Sequence, residues 1–156
     1  MKGIILMHIE IENFTNCWKK LIKELINDYR KNYPAVKDRE LRIINCPSIE
    51  KPDYNQKGLN SISKDIDTIR LSIVYPTKEQ IIFQLFHELT HWRINSNTNY
   101  YIVSSEEESE CFDESINWLY KYSYFEYSND RINDILSNDK EKNKYKYSKY
   151  LNLKEN

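Results

Sequence analysis

Three histidines are spread over the 156-residue chain, and two of them stand four apart within FQLFHELTHW, residues 83–92, as His87 and His91. On a helix that spacing projects both imidazoles from one face. Two neutral nitrogens so placed can reach one Zn²⁺ at about 2 Å each. Glu88 lies beside them, where it can take a proton from a water on the metal. The residues therefore predict a metal-assisted hydrolytic centre with His87 and His91 as ligands and Glu88 as catalytic base. A catalytic zinc takes three protein ligands and keeps one position for water, so a further ligand is required. His8 is remote from the motif and precedes the first predicted helix. The acidic run Glu106, Glu107, Glu108 and Glu110 offers a carboxylate instead.

The elements that must position these groups follow from periodicity. With His87 at zero on a helical wheel, Ile81, Ile82, Leu85, Leu89 and Trp92 gather on the opposite side. This predicts an amphipathic helix with one face in a core and one presenting the histidines. Pro76-Thr77 suits its start, with Thr77 as N-cap. A second helix is expected over residues 105–124, capped by Ser104 or Ser105, its first-turn glutamates complementing the positive helix end. On it Cys111, Phe112, Ser115, Trp118, Leu119 and Tyr122 form one arc with Glu108 near its middle, whereas Glu110, Glu114, Asn117 and Lys121 form the solvated arc. A carboxylate facing inward is costly unless it is paired or metal-bound, which makes Glu108 the expected third ligand and Glu107 the alternative. The small Cys111 and Ser115 would let this helix approach the histidine helix closely.

Elsewhere, residues 13–32 carry Phe14, Trp18, Leu21, Leu25 and Tyr29 at helical spacing, and Pro34 ends that run. Residues 40–46 and 67–75 read as strands, 59–63 as a short third one, and 48–58 and 95–105 as loops. The strand at 67–75 leads directly into the histidine helix, and a free edge there could hold an extended peptide. Residues 131–136 suggest a short helix, followed by a lysine-rich, mobile tail. The fold class is α+β: an N-terminal helix, a sheet of about three strands, the histidine helix and a ligand-bearing helix. One domain is expected over 1–128, with 129–156 as a C-terminal appendage.

A formal charge of −1 argues against nucleic acid or an anionic membrane as the partner. Cys17, Cys46 and Cys111 are an odd set without CxxC spacing, which favours a reducing compartment. No signal peptide or membrane-spanning segment is recognisable, and the chain reads as cytoplasmic.

Three blocks also carry a family likeness: DTIRL at 67–71, LFHELTHW at 85–92, and Glu107-Glu108 entering a helix. Together they resemble the zincin-type metallopeptidase domain of ArdC-type antirestriction proteins, and are similar to ImmA/IrrE-type peptidases. The likeness spans roughly residues 59–122, and Glu108, Cys111 and Ser115 match the family's glutamate followed by small residues. Phe112 departs from it, standing where those families place a polar or acidic residue. The resemblance implies a gluzincin-like fold, a zinc cofactor, a protein or peptide substrate and a role in phage or mobile-element conflict. The alternative expectation is a non-catalytic zincin-fold inhibitor of a host defence factor, stabilised by its metal. Tyr100, Tyr101 and Tyr124 are the phenols that could serve an oxyanion.

Overall fold

The sheet begins at Ile9-Glu10-Ile11-Glu12, where Ile11 is buried and Glu10 exposed. The structure, a computed structural model, describes residues 8–34, 40–47, 66–95 and 104–151. The strand expected at 59–63, the loop at 48–58, and Tyr100 and Tyr101 lie outside the described residues. Strands β1 (Ile9–Glu12), β2 (Glu40–Asn45) and β3 (Ile66–Leu71) form a parallel sheet in the order β1-β2-β3. In register, Ile9 is opposite Leu41 and Ile43 is opposite Ile69. β1 was not among the expected strands, because a four-residue alternation is too short to stand out. Parallel neighbours need a crossover, and helix α1 (Asn16–Asn32) supplies it between β1 and β2. Its buried residues are Ile22, Leu25, Ile26 and Tyr29, so Leu25 and Tyr29 face inward as expected, while Trp18 and Leu21 are only half-buried.

The strand expected over 67–75 stops at Leu71 for a local reason. Past that point the buried Asn45 side chain replaces strand pairing. It donates to the Ile73 carbonyl and accepts the Ile73 N–H, both at 2.9 Å. Asn13 joins β1 to α1 with a left-handed backbone, φ 62°, and its side chain donates to the Asn45 carbonyl at 2.9 Å. The chain has only two glycines, so asparagine takes this position, which its short polar side chain tolerates.

Helix α2 (Lys78–Asn95) begins where expected, with the Thr77 hydroxyl accepting the Gln80 N–H at 3.2 Å. It is not amphipathic along its second half, which corrects the two-faced expectation. Every residue from Leu85 to Trp92 is buried, polar ones included. Thr90 meets the cost of burial by donating to the Phe86 carbonyl at 2.7 Å.

The chain divides into two compact units, one of residues 1–76 and 92–97, the other of 77–91 and 98–156. The second contains α2 through His91, then α3 (Ser105–Lys121), α4 (Phe125–Ser137) and α5 (Asp139–Lys144). The Ser104 hydroxyl caps α3 by accepting the Glu107 N–H at 3.1 Å. At the other end Tyr124 N–H reaches the Leu119 carbonyl and Ser123 N–H the Tyr120 carbonyl, with Ser123 at φ 67°. That is a Schellman closure with serine in the place glycine usually takes. α2 and α3 approach closely, as the small residues predicted: the Ser115 hydroxyl donates to the Phe83 carbonyl at 3.0 Å. Phe86 and Trp118 stack beside it with ring centroids 4.3 Å apart.

The C-terminal segment carries more structure than its low-complexity composition suggested. α4 runs across the expected boundary at residue 128, and Ile135, Tyr145, Ser148 and Leu151 are buried. Asp113 on α3 accepts the Ser148 hydroxyl at 2.7 Å and the Lys149 N–H at 3.2 Å. Tyr145 and Tyr150 pack on Phe112. Among the described residues, no helix is long and apolar enough to cross a membrane.

Candidate metal centre

The second unit brings His87, His91 and Glu108 together. Glu108 Oε1 lies 2.9 Å from His91 Nε2, and Oε2 lies 3.4 Å from His87 Nε2. Each imidazole thus faces its own oxygen of the one carboxylate, which places an anionic donor beside both rings. Glu108 is buried and Glu110 is exposed, as the periodicity of α3 predicted.

Glu107 has a different place from the ligand role offered as its alternative. Its Oε2 is 2.6 Å from His91 Nδ1, on the side of the ring away from Glu108. A carboxylate there fixes the tautomer and rotation of a ligating histidine and leaves Nε2 for the metal. Phe112 makes no such contact; it packs edge-on to Phe83, with centroids 6.0 Å apart. The orienting group thus comes from the residue before Glu108. Sequence reasoning saw the acid but not its direction, because side-chain rotamers rather than helical phase decide it.

Cys111 was read only as a small residue easing helix approach. It is fully buried, and its sulfur and one nitrogen from each of His87 and His91 all lie within 4.8 Å of one another. This buried group could hold a metal ion. The signal in the sequence was its position one turn beyond Glu108.

Glu88 is 5% exposed, and its Oε2 has no hydrogen-bond partner among the described residues. Burial pushes its carboxyl up to about 8, with His91 pulling it back and Glu108 adding to the rise. An unpaired buried acid is expensive in a structural role and suited to proton transfer near neutrality.

The remaining electrostatics follow from burial and pairing. Burial lowers His87, and Glu108 only partly offsets it, so this imidazole stays neutral more readily than usual. Burial would lower His91 too, but hydrogen bonds with Cys111, Glu107 and Glu108 outweigh it and push it up to about 12. Glu108 is held well below the ordinary carboxylate range, its burial outweighed by the two histidines. Burial pushes the Cys111 thiol up to about 12 despite His91. His91 and Glu108 thus each favour the other's charged form. Lys144 adds a second cation, its Nζ 3.8 Å from Glu108 Oε2. Tyr124 sits elsewhere, its hydroxyl raised first by burial and then by Glu79 in the first turn of α2. No protein-family model, curated protein or solved structure matches the chain.

Proposed function

We propose that the protein is a small zinc-dependent metallopeptidase of zincin type, acting on a protein or peptide substrate in phage or mobile-element conflict. One observation carries this reading: the Glu108 carboxylate faces both histidine Nε2 atoms, with an unpartnered glutamate, Glu88, next in the chain to His87. His87, His91 and Glu108 would hold the ion. When bound, Zn²⁺ lowers the pKa of a water and polarises a carbonyl.

The chain's own residues do the rest. Glu107 keeps His91 turned through Nδ1. Glu88 receives a proton on its carboxylate and returns it to the departing amine, work for which a carboxyl raised towards neutrality is suited.

A second reading is favoured by Cys111. Four protein donors around zinc make a structural site, and a metal-stabilised binding protein acting on a host defence factor would need no base. One variant separates the two. Glu88→Gln keeps shape and donors, so zinc content and the melting temperature of the zinc-loaded protein should match the parent in either case. A peptidase loses roughly 10²–10⁴ in rate, and its cellular effect with it. A binder keeps the cellular effect in full. Absence of zinc from gently purified parent protein would reject both readings.

A further inference from the structure

We infer that Cys111 is a fourth protein ligand, so that the metal rests in a closed shell of His87, His91, Glu108 and Cys111 with no position left for water. The inference rests on the metal centre proposed above and concerns how that centre is regulated. Glu108 and Cys111 are three residues apart on α3, which puts both on the helix face turned towards His87 and His91. Both are buried on that face. The sulfur belongs to the same tight group as the two imidazoles, with all three donor atoms within 4.8 Å of one another. Glu108 lies outside that group and meets each imidazole through a different oxygen, Oε1 at His91 and Oε2 at His87, so a bound ion would have to draw one of them inward to complete the shell. Cys17 is exposed and Cys46 only partly buried, and neither belongs to that group.

Coordination gives up the S–H bond: the proton leaves to solvent, and the sulfur lone pair forms the metal–sulfur bond. No oxidant or reductant is involved. The chemical consequence is latency. Three protein ligands leave a position for a reacting water, and four do not. Hydrolysis then requires the thiolate to be displaced, and removing Cys111 should open the site.

The test uses the full chain with Cys17→Ser and Cys46→Ser, so that Cys111 is the one remaining thiol, loaded with Co²⁺ as a coloured substitute. Expected are visible bands of a tetrahedral ion together with a near-ultraviolet thiolate-to-cobalt charge-transfer band. Added azide should leave the spectrum unchanged. In the further variant Cys111→Ala the charge-transfer band should vanish and azide should shift the visible bands. Cobalt affinity should fall about 10-fold or more, as for loss of a group that supports a site. If that variant fails to fold, the spectrum and azide response of the Cys111-only protein still decide. Cobalt bound without the charge-transfer band, or an azide shift in the Cys111-only protein, overturns the closed shell and leaves the metal centre standing. Cobalt that does not bind at all overturns the metal centre, and this inference falls with it.

Discussion

Glu107 and His91 meet through a 2.6 Å contact between carboxylate and Nδ1, and that contact leaves the other ring nitrogen for Glu108. In the proposed metal centre Glu107, next to Glu108 in the chain, would orient His91. Glu107→Ala should keep the fold and lower metal affinity about 10- to 100-fold. Glu107→Gln, which still accepts from Nδ1–H, should fall between. Chelator competition measures this, and an unchanged affinity in the alanine variant would show that packing alone holds the ring.

Glu108 and Glu110 make a paired comparison on one helix. Glu108→Ala removes a donor and leaves His91 with one carboxylate fewer in a buried setting. Metal should be lost and stability reduced by about 1–3 kcal/mol. Glu110→Ala is an exposed change and should stay within about 0.5 kcal/mol. Equal metal loss in both variants would contradict the facing drawn for α3.

Metal affinity should rise steeply with pH. His91 and the Cys111 thiol are both pushed up to about 12, so each carries a proton until a metal displaces it. One displaced proton gives about a tenfold gain per pH unit, and two give about a hundredfold. A slope of about tenfold would mean that only one of the two groups gives up a proton to the metal, and a flat profile that neither does.

Glu88 has a signed effect on the metal-free protein. Its folded pKa of about 8 stands above the ordinary 4.5, so the folded state holds a proton that the unfolded state has released. Its contribution is fully present below 4.5 and is lost as pH rises through about 8. Glu88→Gln removes that loss, so the variant should gain on the parent across this window. Denaturant titration on either side of the window reads the gap, and a constant gap would refute a costly buried charge.

Ser123 closes α3 at φ 67°. A non-glycine residue there costs roughly 1–2 kcal/mol, and glycine gives back about 0.5–1 kcal/mol in chain entropy. Ser123→Gly should therefore raise stability by about 0.5–1 kcal/mol, visible as a higher Tm. A lower Tm would show that the serine hydroxyl matters more than the backbone.

The histidine spacing and the phase of α3 made His87, His91, Glu88 and Glu108 legible, because helical periodicity reports which residues share a face. It does not report rotamers, and so the turn of Glu107 behind His91 was hidden. β1 was missed because four alternating residues carry little pattern. β3 was drawn too long because a side chain, Asn45, does the pairing that backbone does elsewhere. The packed C-terminal segment was concealed by its lysines. Tyr145, Ser148 and Leu151 recur every three residues, a weak signal within a polar stretch.

The Asp113 clasp on Ser148 and Lys149 gives that segment a bearing on the metal. It docks residues 145–151 on the helix that carries Glu108 while Lys144 lies 3.8 Å from the Glu108 carboxylate. Lysine and metal then compete for one negative charge. Coupling between two such events is reciprocal: a docked segment weakens the ion's hold to the same degree that the ion loosens the segment. Residues 145–151 would thereby act as a counterweight to an ion bound at the proposed centre, and how readily they are cut by a protease would gauge how much metal it holds.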